Sequence, residues 1–226
     1  MESRIARFLL HAPIFVYYVI VICYDVFVIT PNIDAVVGHA HSYGGKLKYL
    51  TFWDMCVQCI FFAICTASAV FERSDRGPLK RASDFLFGAI ALPVSMFVFV
   101  SFWGLYAIDR ELIYPRALDD FIPTWVNHAW HTAIVAFLVV DSAIIRRQLP
   151  ARGRGGAALA AFGAVYISWL FWVKFAGGVW VYPVFAMLSP LEIAVFVGVN
   201  ALVMGALYLL GNTLHAAAWS RKQKPT

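Results

Sequence analysis

Residues 8–30, FLLHAPIFVYYVIVICYDVFVIT, are an apolar run long enough for a helix to cross a bilayer. About 20 apolar residues span the ~30 Å hydrocarbon layer. Arg4 and Arg7 precede the run, so it resembles the basic and apolar regions of a signal peptide. It is longer than the usual ~7–15-residue apolar region and has no small-residue cleavage site, which makes it an uncleaved first span. Five further runs have the same character: Leu50–Phe71, Phe85–Ile108, Thr124–Ile145, Ala157–Ala176 and Leu191–Leu214. The segment after Ala176, GGVWVYPVFAMLSP, is apolar but broken by glycine and proline. It reads as an interfacial or re-entrant connection, because breakers at membrane depth need protein cover for their freed backbone groups.

Composition agrees. The chain has 226 residues, 62% hydrophobic and 14% charged, with mean hydropathy +0.73. Soluble domains are about half apolar and about a quarter charged. The expected fold class is therefore all-α, a polytopic membrane bundle of six helices forming one domain over residues 1–226. The net charge of +5 lies between the apolar runs, where it sets topology and gives no nucleic-acid footprint. Arg4 and Arg7, Arg73 to Arg81, Arg146 to Arg154, and Arg221 to Lys224 outweigh Lys46, Lys48, Arg110 and Arg116 in the alternate connections. The positive-inside rule then puts both termini in the cytoplasm, at either the plasma membrane or the endoplasmic reticulum. Cys23, Cys56, Cys59 and Cys65 all lie in apolar runs. The Cys56-x-x-Cys59 pair has neither a βαβ context nor a second pair for zinc, so the cysteines read as reduced, small apolar residues.

Polar groups inside spans need partners, because lipid offers none. Asp109–Thr132, DRELIYPRALDDFIPTWVNHAWHT, leads from a charged connection into a helix carrying Asn127, His128 and His131. Topology places His131 and Thr51, near the start of the second run, in the same outer half of the bilayer. His131 lies ~10 Å along its helix from Thr124, and Thr51 reaches that depth if its helix begins near Gly45. A hydroxyl beside an imidazole is the minimum for nucleophilic acyl transfer, and free N–H groups near Thr51 could stabilise an oxyanion. The residue types leave other readings open. Thr51 also suits capping of its own helix, and His131 suits an interhelical contact. His39, His41, His128 and His131 together suit a metal-dependent lipid enzyme, and an adaptor or transporter needs no such pair. Asn127 and Asp54 are candidates to orient His131, with helix packing as the alternative for each. Asp25, Asp141 and Glu192 are expected to reach the interface, and Lys174 to snorkel.

Many short motifs occur in one order: Tyr43-Gly-Gly45, Lys48-Tyr-Leu-Thr-Phe52, Phe102-Trp103, Asp109-Arg-Glu111 and Ile113-Tyr-Pro115. Phe121-Ile-Pro123, Asn127-His128, His131-Thr132, Trp180-Val-Tyr-Pro183 and Tyr208-Leu-Leu-Gly211 follow. In these the chain resembles the androgen-induced-gene and androgen-dependent TFPI-regulating proteins, multi-pass membrane hydrolases, over nearly its whole length. The resemblance implies a threonine hydrolase of fatty acid esters of hydroxy fatty acids, with no cofactor. Its nucleophile matches Thr51, and its histidine matches His131 rather than His128. The chain departs from the family pattern at Trp130 and Lys46, which bears on substrate shape rather than on the reaction. A carboxylate at one end of such a substrate would be met by Lys46, Lys48, Arg110 or Arg116.

Overall fold

A computed structural model describes residues 3–31, 43–74 and 76–221. His39, His41, Lys222 and Lys224 lie outside the described residues. The helices are α1 (Arg4–Tyr24), α2 (Leu50–Phe71), α3 (Pro78–Leu86), α4 (Leu92–Asp109), α5 (Thr124–His131), α6 (Ala133–Ile144), α7 (Arg152–Gly177) and α8 (Pro190–Arg221). No strand occurs among the described residues, and the all-α membrane fold is as expected. Five continuous helical stretches are long and apolar enough to cross a membrane: Arg4–Ile29, Leu50–Phe71, Pro78–Leu112, Arg152–Gly177 and Pro190–Arg221.

The fourth expected span differs. Thr124–Ile145 is not one helix but α5 and α6, broken at Thr132, whose backbone sits at φ −113° and ψ −48°. β-Branched Thr132 accommodates the break, and its hydroxyl lies 3.1 Å from His128 Nδ1. The third span begins earlier than its apolar run, at Pro78 rather than Phe85. Its start is capped from a distance. Gly77 has no side chain to cap with, and the Glu72 carboxylate accepts from the N–H groups of Leu79 (2.7 Å) and Lys80 (2.9 Å). A Cβ on Gly77 would lie 2.2 Å from that carboxylate and would push it off the helix start, so glycine keeps this cap in place. Between α3 and α4, Phe87–Ala91 forms a π-turn. Pro93 follows and has no N–H to continue the ladder. Asn212 on α8 donates to the Gly88 carbonyl at 3.0 Å. The segment after α7 turns at Gly178 (φ +75°) into a short 3-10 turn, Pro183–Met187, and makes no further crossing.

α1 packs along α2 through Tyr18, fully buried and stacked on Phe62 with centroids 5.9 Å apart. Intramembrane charge is concentrated at one end. Asp141 is fully buried and takes a two-pronged bond from Arg147, at 2.7 and 2.6 Å, and His11 Nε2 lies 2.8 Å away. Arg147 also reaches Asp84 at 3.3 Å and lies over the rings of Phe61 and Phe87. Asp141 is thus buried within the protein at the end of its helix, where desolvation would be prohibitive for an unpaired carboxylate and Arg147 supplies the charge. Asp25 is likewise buried, 2.8 Å from Lys46. Lys174 bends to the Gly178 carbonyl (2.8 Å) at the end of α7, a snorkelling geometry. Glu192 and Ser189 form a capping box on α8.

Candidate active site

The helix that carries Thr51 is launched by a tight turn. Gly44 and Gly45 have φ +79° and +49°, a left-handed conformation that glycine alone adopts without strain. A 3-10 turn, Gly45–Lys48, leads to extended Tyr49, and α2 begins at Leu50. Thr51 is thus in the first turn of α2. A three-membered chain of hydroxyls and amides fixes this turn. The Leu50 N–H donates to Tyr182 Oη (3.1 Å), and Tyr166 Oη donates to the Lys48 carbonyl (3.1 Å). Tyr166 has only one proton, so Tyr182 donates across the 2.8 Å gap between the two hydroxyls.

His131 ends α5. Its Nδ1 faces two oxygens of Asn127, the carbonyl at 3.0 Å and Oδ1 at 2.7 Å. A carbonyl oxygen can only accept, so Nδ1 carries the proton and donates. The neutral ring therefore presents a lone pair at Nε2, which lies 3.4 Å from Thr51 Oγ1. That separation is long for a formed hydrogen bond, as is common before substrate binds. Phe102 stacks flat on the imidazole, centroids 3.4 Å apart and planes 5° from parallel, and His131 is buried. The ring is held at one face, at one nitrogen and at the right tautomer.

The structure separates the two neighbouring histidines. His128 is exposed, stacks over Trp103 and bonds Thr132, away from Thr51. His128 and His131 therefore address different partners. Among the described residues no group of three or more His, Cys, Asp or Glu side chains is placed to share a metal. Asn127 does orient His131, as one of the two sequence readings had it. Asp54 does not: it accepts from Ser95 Oγ at 2.9 Å, and Gln58 Nε2 donates to the same hydroxyl at 2.5 Å. A buried carboxyl takes the nearest donor, and Ser95 on α4 is nearer than the imidazole.

Besides Thr51–His131 and Thr132–His128, a further hydroxyl–imidazole pair tests the tautomer argument. Ser142 Oγ lies 2.7 Å from His215 Nδ1. His215 Nε2 accepts from the Arg147 N–H at 3.2 Å, so Nδ1 holds the proton and donates to the serine. Ser142 faces an acid and has no base. Only Thr51 meets an imidazole lone pair among these two.

Thr51 and His131 open on a cavity of about 1090 Å³, walled mainly by apolar side chains of α2, α4, α7, α8 and the connections on the Thr51 end. Of the four cations expected to meet a carboxylate, Lys46 and Lys48 line it. Lys46 is also paired with Asp25 at 2.8 Å, and Arg110 and Arg116, which do not line the cavity, pair with Asp119 (2.6 Å) and Glu111 (3.9 Å). The Arg110 hydrogen bond holds the Asp119 carboxyl below its ordinary range. Tyr114, in the same connection and on the cavity wall, is pushed up to about 12, by burial first and then by the Asp119 charge.

The sequence profile of the FAR-17a/AIG1-like protein family matches residues 7–216. The chain belongs to this family. It is 37% identical over 193 residues to the androgen-induced gene 1 protein of Homo sapiens, covering 80% of this chain and 81% of that one. It is 39% identical over 186 residues to the androgen-dependent TFPI-regulating protein of Mus musculus, again covering 80% and 81%. The rat protein of the latter name is 38% identical over 186 residues, with the same coverage. No solved structure matches the chain. Lys46 and Trp130 are neighbours in the structure. Lys46 Nζ lies 4.9 Å from the centroid of the Trp130 ring, and both line the cavity.

Proposed function

We propose that this protein is an integral-membrane esterase that hydrolyses fatty acid esters of hydroxy fatty acids, with Thr51 as nucleophile and His131 as general base. The observation that carries the reading is the bare Nε2 of His131 directed at Thr51 Oγ1 on the wall of an apolar cavity. The substrate class comes from the family resemblance. It suits a site whose wall is mainly apolar, with Asp25, Lys46, Lys48 and Lys174 as its charged residues. A free carboxylate would lie near Lys46 and Lys48, where it would compete with Asp25 for Lys46.

Thr51 Oγ attacks the ester carbonyl carbon as His131 Nε2 takes the hydroxyl proton. The carbonyl oxygen becomes an oxyanion. Among the described residues the Thr51 N–H meets no acceptor, and as a first-turn amide it is the candidate donor to that oxyanion. Collapse breaks the bond to the hydroxy-acid oxygen, which leaves with the proton from His131 Nε2. Water then adds to the acyl-threonine, giving its proton to the same nitrogen, and the second collapse returns that proton to Thr51 and releases the fatty acid.

Thr51→Ala and His131→Ala should each abolish ester hydrolysis, and Thr51→Ala should also abolish labelling by a fluorophosphonate probe, while the protein still inserts. Hydrolysis retained in both variants would sink the proposal. If neutralising Lys46 and Lys48 together leaves the preference for acidic over methylated lipid intact, the carboxylate is held elsewhere.

A further inference from the structure

The cavity at Thr51 extends well past the reacting pair, and it has a floor. Its lining reaches Gly156 on α7 and Tyr208 on α8. Tyr166, hydrogen-bonded to Lys48, is level with the start of α2. Gly156 is ten positions earlier on α7, ~15 Å farther along the axis at 1.5 Å per residue. There the Tyr208 hydroxyl donates to the Arg152 carbonyl at 2.9 Å. A Cβ built on Gly155 would meet that hydroxyl at 2.5 Å, so the tyrosine lies directly against the α7 backbone and closes the space.

Between Thr51 and this floor the wall asks for no polar ligand. Met55, one turn below Thr51, Leu159 and Met204 line it. The Asn200 amide, also on the wall, is spent on the Phe196 carbonyl at 2.8 Å. Gly163 and Gly205 face the cavity from α7 and α8, and a Cβ at either would meet nothing within 4 Å. Such a space suits an unbranched chain without hydrogen-bonding groups. An extended alkyl chain advances about 2.5 Å per two carbons, from a ~1.5 Å bond and a ~111° angle. The depth therefore matches about twelve carbons.

We propose that the space between α7 and α8 below Thr51 is an acyl-chain arm of fixed depth, and that Tyr208 at its floor, with Gly163 and Gly205 on its walls, sets the length of acyl chain accepted. This rests on the esterase reading of Thr51 and His131. Gly163 lies nearer the reacting pair than Gly205, which lies one turn of α8 before Tyr208. Filling the arm at Gly163 leaves room for a short acyl group, filling it at Gly205 shortens it by a few carbons, and removing the Tyr208 ring deepens it. Losing the fit of one methylene in an apolar pocket changes discrimination by roughly tenfold.

The test is the chain-length profile of kcat/KM for p-nitrophenyl esters, butyryl to stearoyl, with the full-length protein in nanodiscs. Wild type should peak near the dodecanoyl ester. Gly163→Trp should lower the dodecanoyl-to-butyryl ratio by at least about tenfold, and Gly205→Trp should move the peak to shorter chains. Tyr208→Ala should move it to longer ones, and Tyr208→Phe, which keeps the ring, should leave it in place. Hydrolysis with one unchanged profile in all variants overturns the arm and leaves the esterase reading standing. A second readout needs no turnover. A fatty acid carrying a diazirine near its tenth carbon should crosslink to α7 and α8 peptides in Thr51→Ala, and Gly163→Trp added to that background should remove the crosslink. That result without ester hydrolysis by wild type would keep the arm and reject the esterase. A crosslink elsewhere, or one indifferent to Gly163→Trp, rejects the arm.

Discussion

The proposed chemistry turns on which nitrogen of one ring carries a proton. Asn127 offers His131 Nδ1 two acceptors, so the lone pair is at Nε2, and the same logic applied to His215 leaves Ser142 without a base. Asn127→Leu removes Oδ1 but not the backbone carbonyl, so the tautomer survives with a looser ring. Activity should fall by about tenfold, with kcat affected more than KM, well short of the ~10⁴ lost when a triad imidazole takes the wrong tautomer. A loss as large as that of His131→Ala would mean that the side chain alone sets the tautomer. At this scale the sequence was legible only in part. Thr51 and His131 could be put in one half of the bilayer by counting, but Asp54 and Asn127 could not be separated as partners of His131. That choice depends on which donor is nearest, and Ser95, 41 residues from Asp54 along the chain, supplied it.

The elements are held at their ends, and the holding groups are often far away in sequence. Glu72 caps α3 across a loop. Partial burial would raise its carboxyl, but the bonds from Ser68 and from the Leu79 and Lys80 N–H groups outweigh that and hold it below the ordinary glutamate value. A depressed folded pKa stabilises the fold above the ordinary value of about 4.3 and ceases to do so as pH falls below it. Glu72→Gln should therefore lower the thermal midpoint in detergent at pH 7 and make less difference at pH 3. An equal deficit at both pH values would show that the cap does not depend on charge. The Asp141–Arg147 pair is a stronger restraint. Removing either partner leaves a buried charge and should cost about 3–5 kcal/mol, whereas Asp141→Leu with Arg147→Met should recover much of the loss. No recovery in the double variant would show that the bidentate geometry itself is needed. Sequence marked Asp141 as a charge in a span and Arg147 as a loop charge. Only the turn after α6 brings the two together, six residues apart.

Across the whole molecule, Thr51, His131 and the cavity mouth lie at one end, and the Arg147 cluster lies at the other. α5 and α6 together run from the first to the second, since His131 meets Thr51 and Asp141 meets Arg147. Together with the positive-inside rule, this supports our proposal of six crossings with Thr51 and His131 toward the outer leaflet. In a background without the native cysteines, Asp120→Cys should react with a membrane-impermeant maleimide from the face opposite to the one that exposes Arg154→Cys. Labelling of both from one face would reject the six-crossing topology.

The sequence by itself determined that the chain lives in a bilayer, roughly where its helices run, and which residue types could carry acyl chemistry. Hydrophobic run length, charge placement and short local motifs are properties of neighbouring residues, and they survive without a fold. Tertiary structure decided that the fourth span breaks at Thr132, that His131 rather than His128 turns toward Thr51, and that Asp141 is paired. It also closed the cavity at Tyr208. The meeting of Thr51 with His131 and of Tyr208 with Arg152 joins residues tens of positions apart, and even the nearby Asp141–Arg147 pair takes its burial from the packed helices.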